Sequence, residues 1–252
     1  TISGAITHTA NSSIDILTGK TLTYSGAAVS IGAFTLTIPG AGTLANTNAI
    51  PIDTNSTLNI TGASTISGPV ILNDGILDID ANTLISGDIT HTASSTINIA
   101  NSITLTYSGS AVSIGAFTLD LQSAGTATIA NTNVFSLGAG STLQSAAAYT
   151  ISGPIALAGG TLDIDAATTV SGAVTHTASS IINVAAGITL TYSGAAVDVG
   201  AFTLSLQGGG TGTIANTNAI TLGTGATLQT TGAYTITGPV ILNDGTLDID
   251  EN

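Results

Sequence analysis

The sequence predicts an all-β protein, a right-handed parallel β-helix (β-solenoid) of about twelve coils with no helices. Three observations predict this fold class. A long repeat occurs three times along the chain, each copy divides into four shorter subunits, and apolar and polar residues alternate with a period of two inside each subunit. The handedness follows from the rule that crossover connections between parallel strands are right-handed.

Five short phrases define the long repeat: THTA, LTYSG, GAFTL, ANTN and LDID. Copies of each phrase lie 83 or 85 residues apart. We therefore predict one solenoid domain over residues 1–252, made of three repeats (1–83, 84–168 and 169–252) of four coils each. The phrases place these residues at equivalent positions: His8, His91 and His176; Tyr24, Tyr107 and Tyr192; Phe34, Phe117 and Phe202; Asn46, Asn131 and Asn216; Asp78, Asp163 and Asp248.

Most coils open with a Thr-aliphatic pair, such as Thr21-Leu22 or Thr43-Leu44, and end with an alternating strand such as the LDID at 77–80. Gly, Asn and Ser clusters between these segments are typical of turns. A coil of about 20 residues cannot bury its own apolar face, so neighbouring coils must stack. We expect the opening aliphatic residues to form one continuous ladder along the core.

Other all-β architectures fit the pattern less well. A sandwich or a propeller needs antiparallel hairpins and larger aromatic cores, and aromatic residues make up only 4% of this chain. No segment repeats its apolar residues with the 3.6-residue period of a helix. The sequence therefore favours the solenoid over both alternatives.

Composition limits the partners that the chain can bind. Apolar residues make up 43% and charged residues only 6%, yet the net charge is −13, because Lys20 is the only Lys or Arg. Nucleic acid and anionic lipid surfaces are both bound through Lys and Arg, so neither is an expected partner. The chain has no run of 18 apolar residues and no cysteine, so we expect neither membrane insertion by a helix nor disulfides.

The Thr-Ile-Ser-Gly and Leu-Asp-Ile-Asp phrases, the Gly- and Asn-rich turns and the scarcity of Lys and Arg resemble the repetitive shafts of bacterial surface proteins. The likeness is to filamentous-haemagglutinin-like adhesins and autotransporter passengers, and it extends over the whole chain. It implies a right-handed β-helix, export across an outer membrane, an extracellular or cell-surface location, and a role in adhesion or as a stalk. The chain shows neither the secretion domain nor the membrane barrel of a complete family member, which implies a piece of the shaft.

Three histidines occupy one equivalent position per repeat inside the phrase Thr-His-Thr: His8, His91 and His176. Alternation directs each histidine to the opposite side of the strand from its Thr neighbours. Copies lie four coils apart, roughly 19 Å at the spacing of stacked strands, so they cannot share one metal ion. We expect polar residues at the surface or beside a turn.

Aspartate pairs close each repeat and are the candidate cation ligands. Two carboxylates at positions i and i+2 on one strand face, with nearby carbonyl groups, suit weak binding of Ca²⁺. The alternative is plain solvation of surface carboxylates, because the nine-residue glycine-aspartate repeat of calcium-binding β-rolls is absent. The pairs are Asp78 and Asp80, Asp163 and Asp165, and Asp248 and Asp250.

The sequence contains no constellation typical of a catalytic site, and no cofactor is expected. Polysaccharide lyases with a β-helix fold rely on Arg or Lys to neutralise the sugar acid, and Lys20 is not repeated. The chain has no Trp to line a sugar groove and no Cys nucleophile. We therefore expect a protein that is not an enzyme.

The function that fits best is structural: a bacterial extracellular fibre segment that associates end to end with copies of itself as a stiff rod. Solenoid ends without capping elements favour axial stacking, because open strand edges template further pairing. One alternative is an adhesin whose Tyr24, Tyr107 and Tyr192 surfaces bind a glycan or a host protein. A second is an ice-binding protein, suggested by Thr-x-Thr motifs such as Thr21-Leu22-Thr23, although we expect these motifs to fall on different strands of successive coils.

Overall fold

A computed structural model of the chain describes residues 1–250, so Glu251 and Asn252 of the predicted third repeat lie outside the described residues. The chain winds into a β-solenoid of about eleven turns. Every pairing between strands of residues 1–250 is parallel, and none of these residues is helical. It follows that no helix long and apolar enough to cross a membrane is found among them. The predicted fold class is confirmed.

The largest sheet, which we call the closing sheet, contains twelve strands that stack in chain order along the rod. Its strands end successive coils, so the twelve strands bound about eleven full turns, close to the predicted number of about twelve coils. They are Ser12–Ser13, Thr35–Ile38, Thr57–Ile60, Ile76–Ile79, Ser95–Ile99, Thr118–Gln122, Thr142–Ser145, Thr161–Ile164, Ser180–Val184, Thr203–Gln207, Thr227–Thr230 and Thr246–Ile249.

The second sheet, which we call the opening sheet, contains eleven strands built mainly from the Thr-aliphatic pairs. An isolated bridge between Ile2 and Tyr24 extends its pairing to the first coil. Its strands are Thr21–Tyr24, Thr43–Asn46, Thr65–Ile66, Thr83–Ile85, Thr104–Tyr107, Ala127–Asn131, Tyr149–Ile151, Thr168–Val170, Thr189–Tyr192, Gly212–Asn216 and Tyr234–Ile236.

The third face of the coil consists of three short sheets with three, four and three strands. The first contains Ile50–Ile52, Val70–Leu72 and Ile89–His91. The second contains Val112–Ser113, Phe135–Gly138, Ile155–Ala158 and Val174–Ala178, and the third contains Val197–Asp198, Ile220–Leu222 and Val240–Leu242.

The core is a stack of aliphatic side chains, because successive residues of a strand point alternately into and out of the coil. In the closing sheet, Ile38, Ile60 and Ile79 lie in one register column, and each is fully buried. Thr, Asn, Asp and Gln occupy most of the alternate, outward positions. The period of two in the sequence therefore identifies the inner residues.

The ladder of opening aliphatic residues is interrupted, which corrects the prediction of a continuous one. Ile85 pairs in register with Tyr107, while Leu105 lies beside Thr83. The strands therefore slip by two residues between the first and second coils of the second repeat, and the third repeat has the same slip. The closing sheet slips at the same place, and the third face breaks there.

This two-residue slip places small hydroxyl side chains in the core. Thr83 and Ser95 are buried, and their hydroxyls donate hydrogen bonds to the carbonyl oxygens of Ala81 (2.8 Å) and Ala93 (3.0 Å). A buried hydroxyl with a partner avoids most of the free-energy penalty of desolvation. The slip therefore reduces apolar contact without leaving an unpaired donor.

Candidate functional site

The three histidines are buried, so the expectation that they lie at the surface is wrong. His8, His91 and His176 are each at most 9% exposed. Alternation correctly predicts that they point away from their Thr neighbours, and that direction is the inside of the coil. The ring of Phe117 packs edge-on against His91, with the ring centroids 5.9 Å apart.

Two of these histidines have a defined hydrogen bond and therefore a defined tautomer. Nδ1 lies 2.8 Å from the carbonyl oxygen of Ile114 in His91 and 2.9 Å from that of Val199 in His176. Because a carbonyl oxygen only accepts, Nδ1 carries the hydrogen of the neutral ring and Nε2 keeps its lone pair. Nε2 is buried without a protein partner in both rings. Burial lowers the pKa of both side chains, and the bond to the carbonyl oxygen raises it in part.

The tyrosines of the LTYSG phrase are buried as well. Tyr24, Tyr107 and Tyr192 are at most 5% exposed, so they do not form the surface for a glycan or host protein that the adhesin alternative assigned to them. The hydroxyl of Tyr107 donates to the carbonyl oxygen of Ser110 (2.6 Å) and accepts from the backbone N–H of Ile89 (3.2 Å). Each such tyrosine therefore fastens its coil to the preceding one.

The two asparagines of the ANTN phrase join three successive coils, a role that the sequence reasoning missed. Nδ2 of the buried Asn131 donates to the carbonyl oxygens of Asn133 (3.0 Å) and of Pro154 in the next coil (3.1 Å). Nδ2 of Asn133 donates to the carbonyl oxygen of Gly109 in the preceding coil (2.5 Å). Alternation was the available signal, because Asn131 has the same parity as the inward-facing Ile129.

The aspartates of the LDID phrase lie on the outer side of the closing sheet, where amide side chains flank them. Asp78 lies between Asn59 and Asn98 in one register column. Nδ2 of Asn98 donates to one carboxylate oxygen at 2.8 Å, and Nδ2 of Asn59 donates to the other at 3.1 Å. Neighbouring coils therefore present amides, and not further carboxylates, to Asp78.

The second repeat keeps this arrangement of amides and carboxylates. Asn183 donates to Asp163 and Gln144 donates to Asp165, both at 2.7 Å. Partial burial and the nearby Asp165 carboxylate raise the pKa of Asp163, while the hydrogen bond from Asn183 lowers it in part. The same balance of causes raises the pKa of Asp78.

The six aspartates that the sequence suggests as weak Ca²⁺ ligands occur in pairs. In the third pair, Asp248 and Asp250, Nε2 of Gln229 donates to Asp250 at 3.0 Å. Over residues 1–250, no group of three or more His, Cys, Asp or Glu side chains could hold a metal ion. Because Ca²⁺ takes six to eight oxygen ligands, weak binding by one pair would need water or carbonyl oxygens as well, and it stays a prediction.

The two main sheets differ in charge. The eleven strands of the opening sheet contain no charged residue. Ten of the thirteen aspartates lie on the closing sheet or within two residues of its strands: Asp15, Asp74, Asp78, Asp80, Asp120, Asp163, Asp165, Asp244, Asp248 and Asp250. The rod therefore has an acidic face and an uncharged face.

Threonines form ordered columns on the outer side of the opening sheet. Thr21, Thr43 and Thr65 pair in register on three successive coils. The Thr-x-Thr motifs themselves lie on different strands, as expected, because Thr21-Leu22-Thr23 belongs to the opening sheet and Thr35-Leu36-Thr37 to the closing sheet. Single threonines nevertheless recur on the same face of successive coils. A second outward column is less regular, because Ala45 and Ala130 occupy positions opposite threonines.

A small space of about 40 Å³ lies in the core where the second repeat meets the third. Aliphatic side chains, Tyr192 and Asn216 line it. No set of catalytic side chains converges there, so the cavity provides only apolar contacts.

Comparison of the chain with known protein families, with curated proteins and with solved structures finds no match.

Proposed function

We propose that this chain is a structural segment of an extracellular fibre, a stiff rod without enzymatic activity that associates end to end with copies of itself. One observation carries the proposal: each long repeat continues into the next with the same register. Ile85 of the second repeat lies on Ile66 of the first, and Val170 of the third lies on Ile151 of the second. A repeat that fits its own copy in this way can extend a rod.

The bonds between coils also return in every repeat. Nδ2 of the first ANTN asparagine donates at 3.0 Å to the carbonyl oxygen of the second in all three repeats. The tyrosine hydroxyl accepts from the preceding coil at 3.1 to 3.2 Å in all three. Because solenoid stability is a sum over repeats and their interfaces, identical interfaces favour a rod of uniform stiffness.

The surface composition suits a durable extracellular rod. Lys20 is the only residue at which a trypsin-like protease would cut, and it lies in the first repeat. The resemblance to bacterial surface shafts adds an expected location outside the cell.

Electron microscopy of the full chain over a range of concentrations tests the axial association. We expect filaments whose length grows with concentration, built from rods on the order of 50 Å long at the spacing of parallel strands. Single rods of that length at every concentration would contradict the proposal.

A pair of variants makes this test specific. The side chains of Leu242 and Ile249 are more than half exposed in the last described coil. The double variant Leu242→Lys/Ile249→Lys places two positive charges there. We expect that variant to form shorter filaments, because burying unpaired ammonium groups between coils is costly. Ser136→Lys and Thr221→Lys, on the third face, add the same charge elsewhere and should leave filament length unchanged.

Ice binding is the second candidate, and the threonine columns of the opening sheet favour it. An uncharged surface of short hydroxyl and methyl groups on several successive coils is suited to ordering water in a regular array. The alanines in the second column weaken this case. Thermal hysteresis of a solution of the chain measures the activity, and its absence at millimolar concentration would remove this candidate.

A further inference from the structure

The outer side of the opening sheet, which we call the threonine face, is distinct in composition. Its outward residues are threonines, three alanines and one leucine, with no charged, amide or aromatic side chain among them. They are Thr21, Thr23, Thr43, Ala45, Thr65, Leu84, Thr104, Thr106, Thr128, Ala130, Thr150, Thr169, Thr189, Thr191, Thr213, Ala215 and Thr235.

Charge determines which faces of two identical rods can approach each other. The net charge is −13, and most aspartates lie in the strands of the closing sheet or within two residues of them, so two copies repel when an acidic face is turned towards the partner. The threonine face carries no charge, and the cores of protein interfaces are depleted in charged residues. Contact through this face keeps the acidic faces as far apart as the rods allow.

The threonine face is also large enough for a specific contact. Eleven strands spaced about 4.8 Å apart give a length on the order of 50 Å, and strands of about four residues give a width of roughly 13 Å. Two such faces would bury about 1,300 Å² in total, within the range of specific protein interfaces. β-branched Thr side chains have few rotamers, so ordering them on contact loses little entropy.

We propose that two copies of this rod pair laterally, with the threonine face of one against the threonine face of the other. The pairing presupposes the structural role proposed above and adds a side-by-side contact to the axial one. Axial association lengthens the particle, whereas lateral pairing widens it. The two associations can therefore fail independently and be told apart.

Small-angle scattering and sedimentation of the full chain test the pairing, from low to about 0.5 M NaCl. We expect a cross-section near that of two rods at high protein concentration. The paired fraction should rise with salt, because added ions screen the repulsion between two chains of charge −13. A single-rod cross-section at every salt and protein concentration would overturn the proposal.

Two double variants distinguish the threonine face from the rest of the surface. Thr150→Glu/Thr169→Glu places two charges at the middle of the threonine face and should weaken pairing at least tenfold. Thr142→Glu/Thr161→Glu is the matched control, because these threonines point outward from the closing sheet in the same part of the rod. The control should pair at high salt as the unchanged chain does.

Three other results would also test the lateral pairing. Equal loss of pairing in both double variants would overturn the assignment of the contact to the threonine face. An unpaired chain whose thermal hysteresis disappears only in Thr150→Glu/Thr169→Glu would assign that face to ice and overturn the pairing. Wide particles without filaments would support lateral pairing and contradict axial association.

Discussion

The core around Tyr107 in the second repeat and the core around Tyr192 in the third repeat share their register and their hydrogen bonds, but they are not equally well filled. Tyr107 stacks on Phe135, with the ring centroids 6.4 Å apart and the planes 18° apart. The residue equivalent to Phe135 is Ile220, which is smaller and cannot stack.

At two further core positions, the third repeat has a smaller side chain than the second. Val170 and Val174 replace the equivalents of Ile85 and Ile89, and both valines line the 40 Å³ cavity. Exposure rises at the same place, from 2% at Ile97 to 9% at its equivalent, Ile182. Three substitutions to smaller aliphatic side chains therefore account for the cavity.

The comparison shows that backbone hydrogen bonds, and not core volume, set the spacing of coils. The Tyr192 hydroxyl still accepts from the N–H of Val174 at 3.2 Å, the distance found for Tyr107 and Ile89. Because the strands of neighbouring coils stay at their hydrogen-bonding distance, the lost volume remains as a cavity instead of closing up. In a solenoid, a repeat can therefore lose core contacts without changing its outer shape.

Among the variants that compare the two repeats, the one that removes the stacked ring should lower the stability most. Phe135→Ala is expected to lower the free energy of unfolding by about 3–5 kcal/mol, the usual loss for a buried phenylalanine. Ile220→Ala should cost less, about 2 kcal/mol, because the cavity beside Ile220 already leaves part of its surface without contacts. Urea unfolding followed by circular dichroism measures both values, and equal losses would contradict the packing difference.

The buried histidines should make stability depend on pH. Burial lowers the pKa of His91 and His176 in the folded chain, so below the ordinary value of 6.5 the unfolded chain binds more protons than the folded one. The free energy of unfolding is therefore fully present above about pH 6.5. It decreases as the pH falls towards the folded pKa, by at most about 1.4 kcal/mol per pH unit for each histidine.

Unfolding midpoints between pH 7 and pH 5 measure this dependence, a range above the one in which the aspartates ordinarily titrate. His91→Gln and His176→Gln should each reduce the slope, because glutamine does not titrate. Thr92→Gln, at the outward neighbour of His91, is the control and should leave the slope unchanged. Burial also lowers the pKa of His8, so part of the slope should remain in the double variant. A double variant with an undiminished slope would contradict the role of His91 and His176.

The architecture was predictable because alternation and repetition are properties of the sequence itself. The period of two identified the inward Leu and Ile residues, and the three copies of LTYSG and ANTN gave the order of coils. The same parity places His91, Tyr107 and Asn131 inside the coil. The predictions for His91 and Tyr107 were wrong because residue type was given more weight than position, although a buried polar group is acceptable where a neighbouring coil supplies a partner.

The two-residue slip and the cavity were not predictable from one sequence. The slip depends on how many residues each corner uses, and Gly-, Ser- and Asn-rich corners accept several lengths. It is visible only in the register, where Thr83 lies beside Leu105. A smaller side chain leaves a cavity only if neighbouring coils do not move closer to fill the space. The hydrogen-bonded spacing of the backbone, which prevents that movement, is not visible in the sequence.

Filling the cavity should give a moderate gain. Ile220→Phe restores in the third repeat the residue found at the equivalent position of the second, where the ring stacks on tyrosine. We expect an increase of about 0.5–2 kcal/mol in the free energy of unfolding, the usual gain from filling a cavity. Thr221→Val, at the outward neighbour of Ile220, is the control and should give no comparable gain. A destabilised Ile220→Phe variant would show that the third repeat lacks room for the ring.

The smallest change in stability is expected from adding one methylene group at position 170. Val170→Ile should stabilise by about 0.5–1 kcal/mol, and the reverse change, Ile85→Val, should cost about 0.5–1.5 kcal/mol. Both residues lie inside, beside the tyrosine of the next coil. Because Val170 and Ile220 line the same cavity, Val170→Ile and Ile220→Phe compete for one volume, and their gains should add to less than the sum. A double-mutant cycle measures the shortfall, and full additivity would mean that the two side chains do not share the space.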